Sequence, residues 1–147
     1  MKNSEVWWTY PAVGENGKTV LVTGRDKLDD WRESGKYIFR IDVTWKYNAL
    51  PDGMPEDEEA KIMEQATDAL LNAFKKDKVA VMTGIYTGDG SRDWVFYTKN
   101  LKIFSTVFNR ALEELPQMPL LIEAEEDKDW SEYLHMREET FIPEEEG

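Results

Sequence analysis

Polar and apolar residues alternate most regularly over residues 37–47, where Tyr37, Phe39, Ile41, Val43, Trp45 and Tyr47 interleave with Arg40, Asp42, Thr44 and Lys46. A period of two predicts a strand with one buried and one wetted face. Upstream, residues 5–10 and 19–23 are β-branched and aromatic runs separated by Gly14-Glu15-Asn16-Gly17, whose Asn-Gly pair is a turn signal. They predict an N-terminal hairpin within residues 5–26, and residues 26–36 read as a polar link.

Helical periodicity begins after the Pro/Gly turn at 48–53. Pro55 suits a first helical turn, Glu56, Asp57, Glu58 and Glu59 complement a helix N-terminus, and Lys75, Lys76 and Lys78 suit its other end. Between them Ile62, Met63, Ala66, Ala69, Leu70, Ala73 and Phe74 recur at helical spacing. Next come two runs of strand formers, 79–87 and 92–98, around Asp89-Gly90, a pair able to adopt the positive backbone angles of a tight hairpin. Asn100 then caps a second helix whose Ile103, Phe104, Val107, Phe108, Ala111, Leu112 and Leu115 form one apolar stripe, stopped at Pro116. Residues 120–123 read as a short last strand, and 127–136 as a closing helix with Trp130, Tyr133 and Leu134 on one side.

Strand, helix, strand, strand, helix, strand over residues 37–124 predicts an α+β, ferredoxin-like βαββαβ sandwich, with the N-terminal hairpin extending or covering its sheet. All of residues 1–147 read as a single domain, ending in an acidic tail at 141–147.

Charge narrows the possible partners. Eighteen basic against thirty acidic residues give a net charge of -12, which repels phosphate backbones and anionic lipids and makes a basic protein partner the expectation, with no nucleic acid and no membrane. With no cysteine, disulfides, thiolate nucleophiles and zinc-thiolate sites are excluded. Residues 1–8 carry no apolar leader core, and no window approaches the roughly 18 apolar residues of a membrane span, so a cytoplasmic location is expected.

Catalytic and cofactor chemistry finds little support. His135, the one histidine, stands without a ligand motif and reads as a solvated helix residue. Glu123, Glu125, Glu126, Asp127 and Asp129 lack the glycine and spacing of a calcium loop and read as a solvated acidic loop. The glycines around Asp89 sit between strands with no Lys-Ser/Thr following, unlike a phosphate loop. No metal or cofactor is expected. Trp94, Phe96 and Tyr97 could form a base-stacking platform, but the acidic charge favours core packing.

Six tryptophans are many for a chain of 147 residues, and the adjacent Trp7 and Trp8 must point to opposite faces of a strand. One of them is expected to stay partly exposed unless another element covers it, and Trp130 and Tyr133 are well placed to pack on the sheet or hairpin. Trp8, Arg92, Asp93, Trp94, Asp129, Trp130 and Tyr133 form the candidate interaction surface.

At residues 92–97, Arg-Asp-Trp-Val-Phe-Tyr, and again at 126–134, Glu-Asp-Lys-Asp-Trp-Ser-Glu-Tyr-Leu, the chain resembles the bacterial domain of unknown function 695 family. Members carry a similar aromatic strand after a glycine turn, an Asp-x-Asp-Trp-x-x-Tyr-Leu closing segment, and a Tyr-Pro-like element beyond it, where Phe141-Ile142-Pro143 stands here. The likeness spans residues 7–143. It implies no activity that can be carried onto residues. Such domains are sometimes joined to one similar to the B-type inhibitor of ribonuclease E, a small acidic protein that acts by binding an enzyme, and this implies regulation by protein contact.

The expected function is therefore a non-enzymatic, acidic interaction or regulatory module, monomeric or homodimeric. The alternative is a small enzyme or ligand-binding domain with a carboxylate and aromatic pocket, built from Asp93 or Asp129 beside Trp94 or Trp130.

Overall fold

A computed structural model describes residues 2–143. The elements run β1 (Trp7–Val13), β2 (Thr19–Arg25), α1 (Asp29–Glu33), β3 (Phe39–Lys46), α2 (Asp57–Lys76), β4 (Ala80–Gly88), β5 (Ser91–Thr98), α3 (Leu101–Leu112), β6 (Leu120–Glu126) and α4 (Ser131–Thr140). All six strands form one sheet in the order β1-β2-β4-β5-β3-β6, with every neighbouring pair antiparallel. The N-terminal hairpin extends the sheet, because β2 pairs with the free side of β4.

Local chemistry explains the turns and caps. Asp89 (φ 52) and Gly90 (φ 82) both take positive angles, so the two-residue turn has the twist that joins β4 to β5 without splaying them. Asn100 caps α3 by accepting the Ile103 N–H at 2.9 Å. Helix α2 starts at Asp57 with Glu56 as its cap, which leaves Pro55 just outside the first turn; Asp57, Glu58 and Glu59 meet the positive end of its dipole.

Each face of the sheet has its own core. On one face α2 and α3 cover Ile41, Val43, Trp45, Met82, Trp94 and Phe96. Phe74 stands 5.4 Å from Phe96 and 5.2 Å from Phe104, ring centre to ring centre. On the other, α1 and α4 close over Val22, Val81 and Tyr97 with Leu28, Trp31, Tyr37, Trp130, Tyr133 and Met136. Trp7 packs on the first cluster and Trp8 on the second, as the strand's alternation requires. Helix α4 lies over β1 and β2, so among the described residues the second face is left open over β3 and β6.

Several elements differ from the sequence expectation. Within the polar link, α1 forms around Trp31, which is fully buried and donates its indole N–H to the Lys2 carbonyl at 3.1 Å. Strand β6 runs through Glu126, so Glu123, Glu125 and Glu126 lie in a paired strand rather than a loop; pairing with β3 supplies backbone bonds that do not depend on apolar side chains. Helix α4 begins at Ser131 and ends at Thr140, displaced from 127–136, because Trp130 adopts a left-handed backbone (φ 56) and holds residues 127–130 in a turn. Ile103 and Leu134 point outward instead of joining their helices' apolar sides. Of the tail expected at 141–147, residues 144–147 lie outside the described residues.

Candidate functional site

The open half of the second face is bordered by a hydrogen-bonded corner around Asp127. Its carboxylate accepts the Tyr97 hydroxyl at 2.7 Å, the Ser131 N–H at 2.9 Å and the Glu132 N–H at 3.1 Å. Burial alone would raise this carboxyl's pKa, but those three bonds and the Arg40 charge prevail and hold it below the usual carboxylate value. The Trp130 ring stacks on Tyr97 at 4.3 Å and donates its N–H to the Tyr37 carbonyl at 2.8 Å, while the Tyr133 hydroxyl donates to the Arg25 carbonyl at 2.6 Å. The Asp-x-Asp-Trp-x-x-Tyr segment thus fastens α4 to the sheet and sets Glu132 at the border of the open face.

Beyond that corner the sheet carries a depression of about 320 Å³ lined by Asp42, Thr44, Tyr86, Asp93, Val95, Glu123 and Glu132. Strand register assembles it. Asp42 lies opposite Glu123 on β6 and Val95 on β5, while Asp93 lies opposite Thr44 on one side and Tyr86 on the other. The β4–β5 register shifts between Met82 and Gly84. This irregularity reverses the alternation along β4: Met82 faces the α2 and α3 side, yet Tyr86, four residues on, faces the trough.

Electrostatically the trough is short of positive charge. Burial raises the Asp42 carboxyl; Arg40 at 3.3 Å opposes the rise, and the Asp93 and Glu123 charges reinforce it. Burial also raises Asp93, partly offset by the Thr44 hydroxyl, which donates to it, and by Lys46. The Tyr86 hydroxyl is pushed well above its usual value by burial and then by the charges of Glu132, Asp42 and Asp93. Arg40 is shared with Glu125 at 2.9 Å and Asp127 at 3.8 Å, and Glu123 and Glu132 make no ion pair among the described residues. The arrangement can accept a cationic group, whose charge would relieve the mutual repulsion of the acids. Among the described residues no group of three or more acidic or histidine side chains is set to hold a metal ion.

The seven expected surface residues scatter. Trp94, Trp130 and Tyr133 are core residues, at most 5% exposed, which removes them from any contact surface. Trp94 gives its indole N–H to Thr67 at 2.8 Å on the helical face, and its neighbour Arg92 lies over its ring at 5.7 Å and pairs with Glu64 at 3.5 Å. Trp8 is half-buried, bonded to Thr140 at 2.8 Å and set edge-on to Phe141. Asp129 is exposed in the turn before α4. Asp93 alone of the seven lines the trough, so neither Asp93 with Trp94 nor Asp129 with Trp130 forms an open carboxylate and aromatic pocket. Sequence reasoning missed Asp42, Tyr86 and Glu132, and read Glu123 as part of a solvated acidic loop. The alternation of β3 marked Asp42 as wetted, but its neighbours depend on register. His135 is exposed on α4, 4.0 Å from Glu139.

These features define an α+β domain built on one antiparallel sheet, with an acidic trough on the part of the sheet no helix covers. The profile of Family of unknown function (DUF695) matches residues 6–136, and the chain belongs to that family. No curated protein matches the chain.

Proposed function

We propose that the chain is an acidic protein-interaction module that takes a cationic side chain of a partner into the trough between Asp42, Asp93, Glu123 and Glu132. The observation that carries this reading is the crowding of those four carboxylates on an uncovered half-sheet where Arg40 is already shared among three acids. A lysine or arginine entering there lowers the energy of each ionised acid around it. The net charge of -12 steers a basic partner toward the domain and repels nucleic acid and anionic lipid. No helix among the described residues is long and apolar enough to cross a membrane, and a cytoplasmic setting in a bacterial cell fits this use. We read the unit from β3 to β6 as a ferredoxin-like core, on the strand order β4-β5-β3-β6, acting as a monomer or homodimer.

The test is an NMR titration of the isotopically labelled protein with tetralysine at low and moderate salt. Expected are resonance shifts concentrated at Asp42, Thr44, Tyr86, Asp93 and Glu123, lost in the Asp42→Asn/Asp93→Asn variant. Shifts of equal size at the distant acids Glu56, Glu58, Glu113 and Glu114 would mean diffuse attraction and would overturn the reading. Half-buried Tyr86 beside the acids favours a second reading, a small ligand-binding domain with a carboxylate and aromatic pocket. It gains if spermine occupies the trough more tightly than the lysine peptide.

A further inference from the structure

We infer that β6 is a docking edge, onto which an extended basic segment of a partner protein adds as a further antiparallel strand. The sheet ends at β6, and six of its seven residues are exposed. The opposite edge, β1, is less able to pair: it carries Pro11, which has no N–H to offer, and α4 contacts it. An uncovered edge strand presents unpaired N–H and C=O groups to any chain able to pair with them.

The side chains along β6 define what that chain must be. Register with β3 sets Leu121 beside Thr44, Glu123 beside Asp42 and Glu125 beside Arg40, all toward the open face. Leu120, Ile122 and Ala124 point to the helical face, where an apolar notch of about 380 Å³ opens between Leu112, Leu115, Met118 and Ile122. Ile122 and Leu121 are 47% and 55% exposed, so the strand offers apolar surface on both sides of its first half and acids along its second. An incoming strand fits if it alternates, with lysine or arginine toward Glu123 and Glu125 and apolar residues toward the notch. Glu123, which forms no ion pair among the described residues, is the charge such a strand satisfies first. A second copy of this chain is a poor occupant. Antiparallel self-pairing along the whole of β6 would set Glu123 against Glu123, between two chains that each carry a charge of -12.

The inference takes from the proposed function the sign of the partner's charge and shares Glu123 with the trough, but it does not need Asp42, Asp93 or Glu132. Its probe is a short peptide alternating lysine with valine, compared with the same peptide methylated on alternate backbone nitrogens. Both carry the same charges, but only the first can complete a strand ladder. Expected are slowed amide exchange in residues 120–126 and a loss of affinity of at least about tenfold on N-methylation, with a similar loss in Glu123→Lys. Asp42→Asn/Asp93→Asn should bind the peptide at β6 nearly as wild type, so failure of the trough reading leaves this result standing. Three results would each overturn the inference: equal binding of the two peptides, no binding at millimolar peptide, or self-association of the protein through β6 in light scattering.

Discussion

Asp127→Ala isolates the corner that fastens α4 to the sheet. The substitution deletes the acceptor for the first N–H groups of α4, a cap worth about 1 kcal/mol. It also strands the hydroxyl of Tyr97, a residue with no exposed surface, which adds about 1–3 kcal/mol. Together they predict a loss of about 2–4 kcal/mol, or roughly 4–16 °C in melting temperature for a domain of this size. Urea unfolding followed by tryptophan fluorescence and far-UV circular dichroism measures it. The decisive control is Tyr97→Phe, which removes the hydroxyl that would be stranded. In that background Asp127→Ala should cost only the cap and the longer pairing with Arg40, together about 1 kcal/mol. The Tyr133 N–H, bonded to the Tyr97 hydroxyl at 3.3 Å, loses its partner in both arms of that comparison and cancels. An equal cost in the two backgrounds, or a cost under about 0.5 kcal/mol in the first, would refute the assignment. The pH dependence has a definite sign. Asp127 is held below its ordinary value, so its contribution is present at neutral pH and shrinks as pH falls through about 3.9 and then through the lower folded value. Wild type and Asp127→Ala should therefore converge in acid.

Two further substitutions probe the trough and the hairpin. Asp93→Asn removes a carboxylate that burial disfavours: a raised folded pKa means stability is lost as pH rises through it, so the variant should have the higher urea midpoint at pH 7 and match wild type in acid. A lower midpoint at pH 7 would mean that Asp93 is stabilised, not strained, in its charged form. Gly24→Ala drives a methyl into the Trp8 ring, which lies across the strand pair from Gly24. Overpacking there should cost about 1–3 kcal/mol and displace the Trp8 indole N–H resonance by breaking its bond to Thr140, whereas an unchanged resonance would contradict the packing described.

Legibility in the sequence followed the range of the forces involved. β3, α2, α3 and the Asp89-Gly90 turn rest on local signals and form in the expected segments, although Pro55 precedes α2 and α3 ends at Leu112, short of Leu115. α1 has only five residues, too few to hold a helix alone, and exists because Trp31 is drawn under the chain to reach the Lys2 carbonyl. The acidic half of β6 could not be read as a strand because an exposed edge needs no apolar alternation. Trp94, Trp130 and Tyr133 resemble binding residues in composition alone; Thr67, Tyr37 and Arg25, distant in sequence, supply the polar partners that let their N–H and O–H groups go inside. The trough depends on two registers and a bulge, and of its residues only Asp93 stood in the expected interaction surface.

The two apolar clusters share no residue, and the sheet stands between them. Substitutions beneath α2 and α3 should therefore combine additively with those beneath α4, since effects at sites with no common partner usually sum to within about 0.5 kcal/mol. Selection can act on the two sides separately. The helical side can hold the domain above its folding threshold while the charges on the open side vary, so closely similar folds within the family are free to differ in the surface they present.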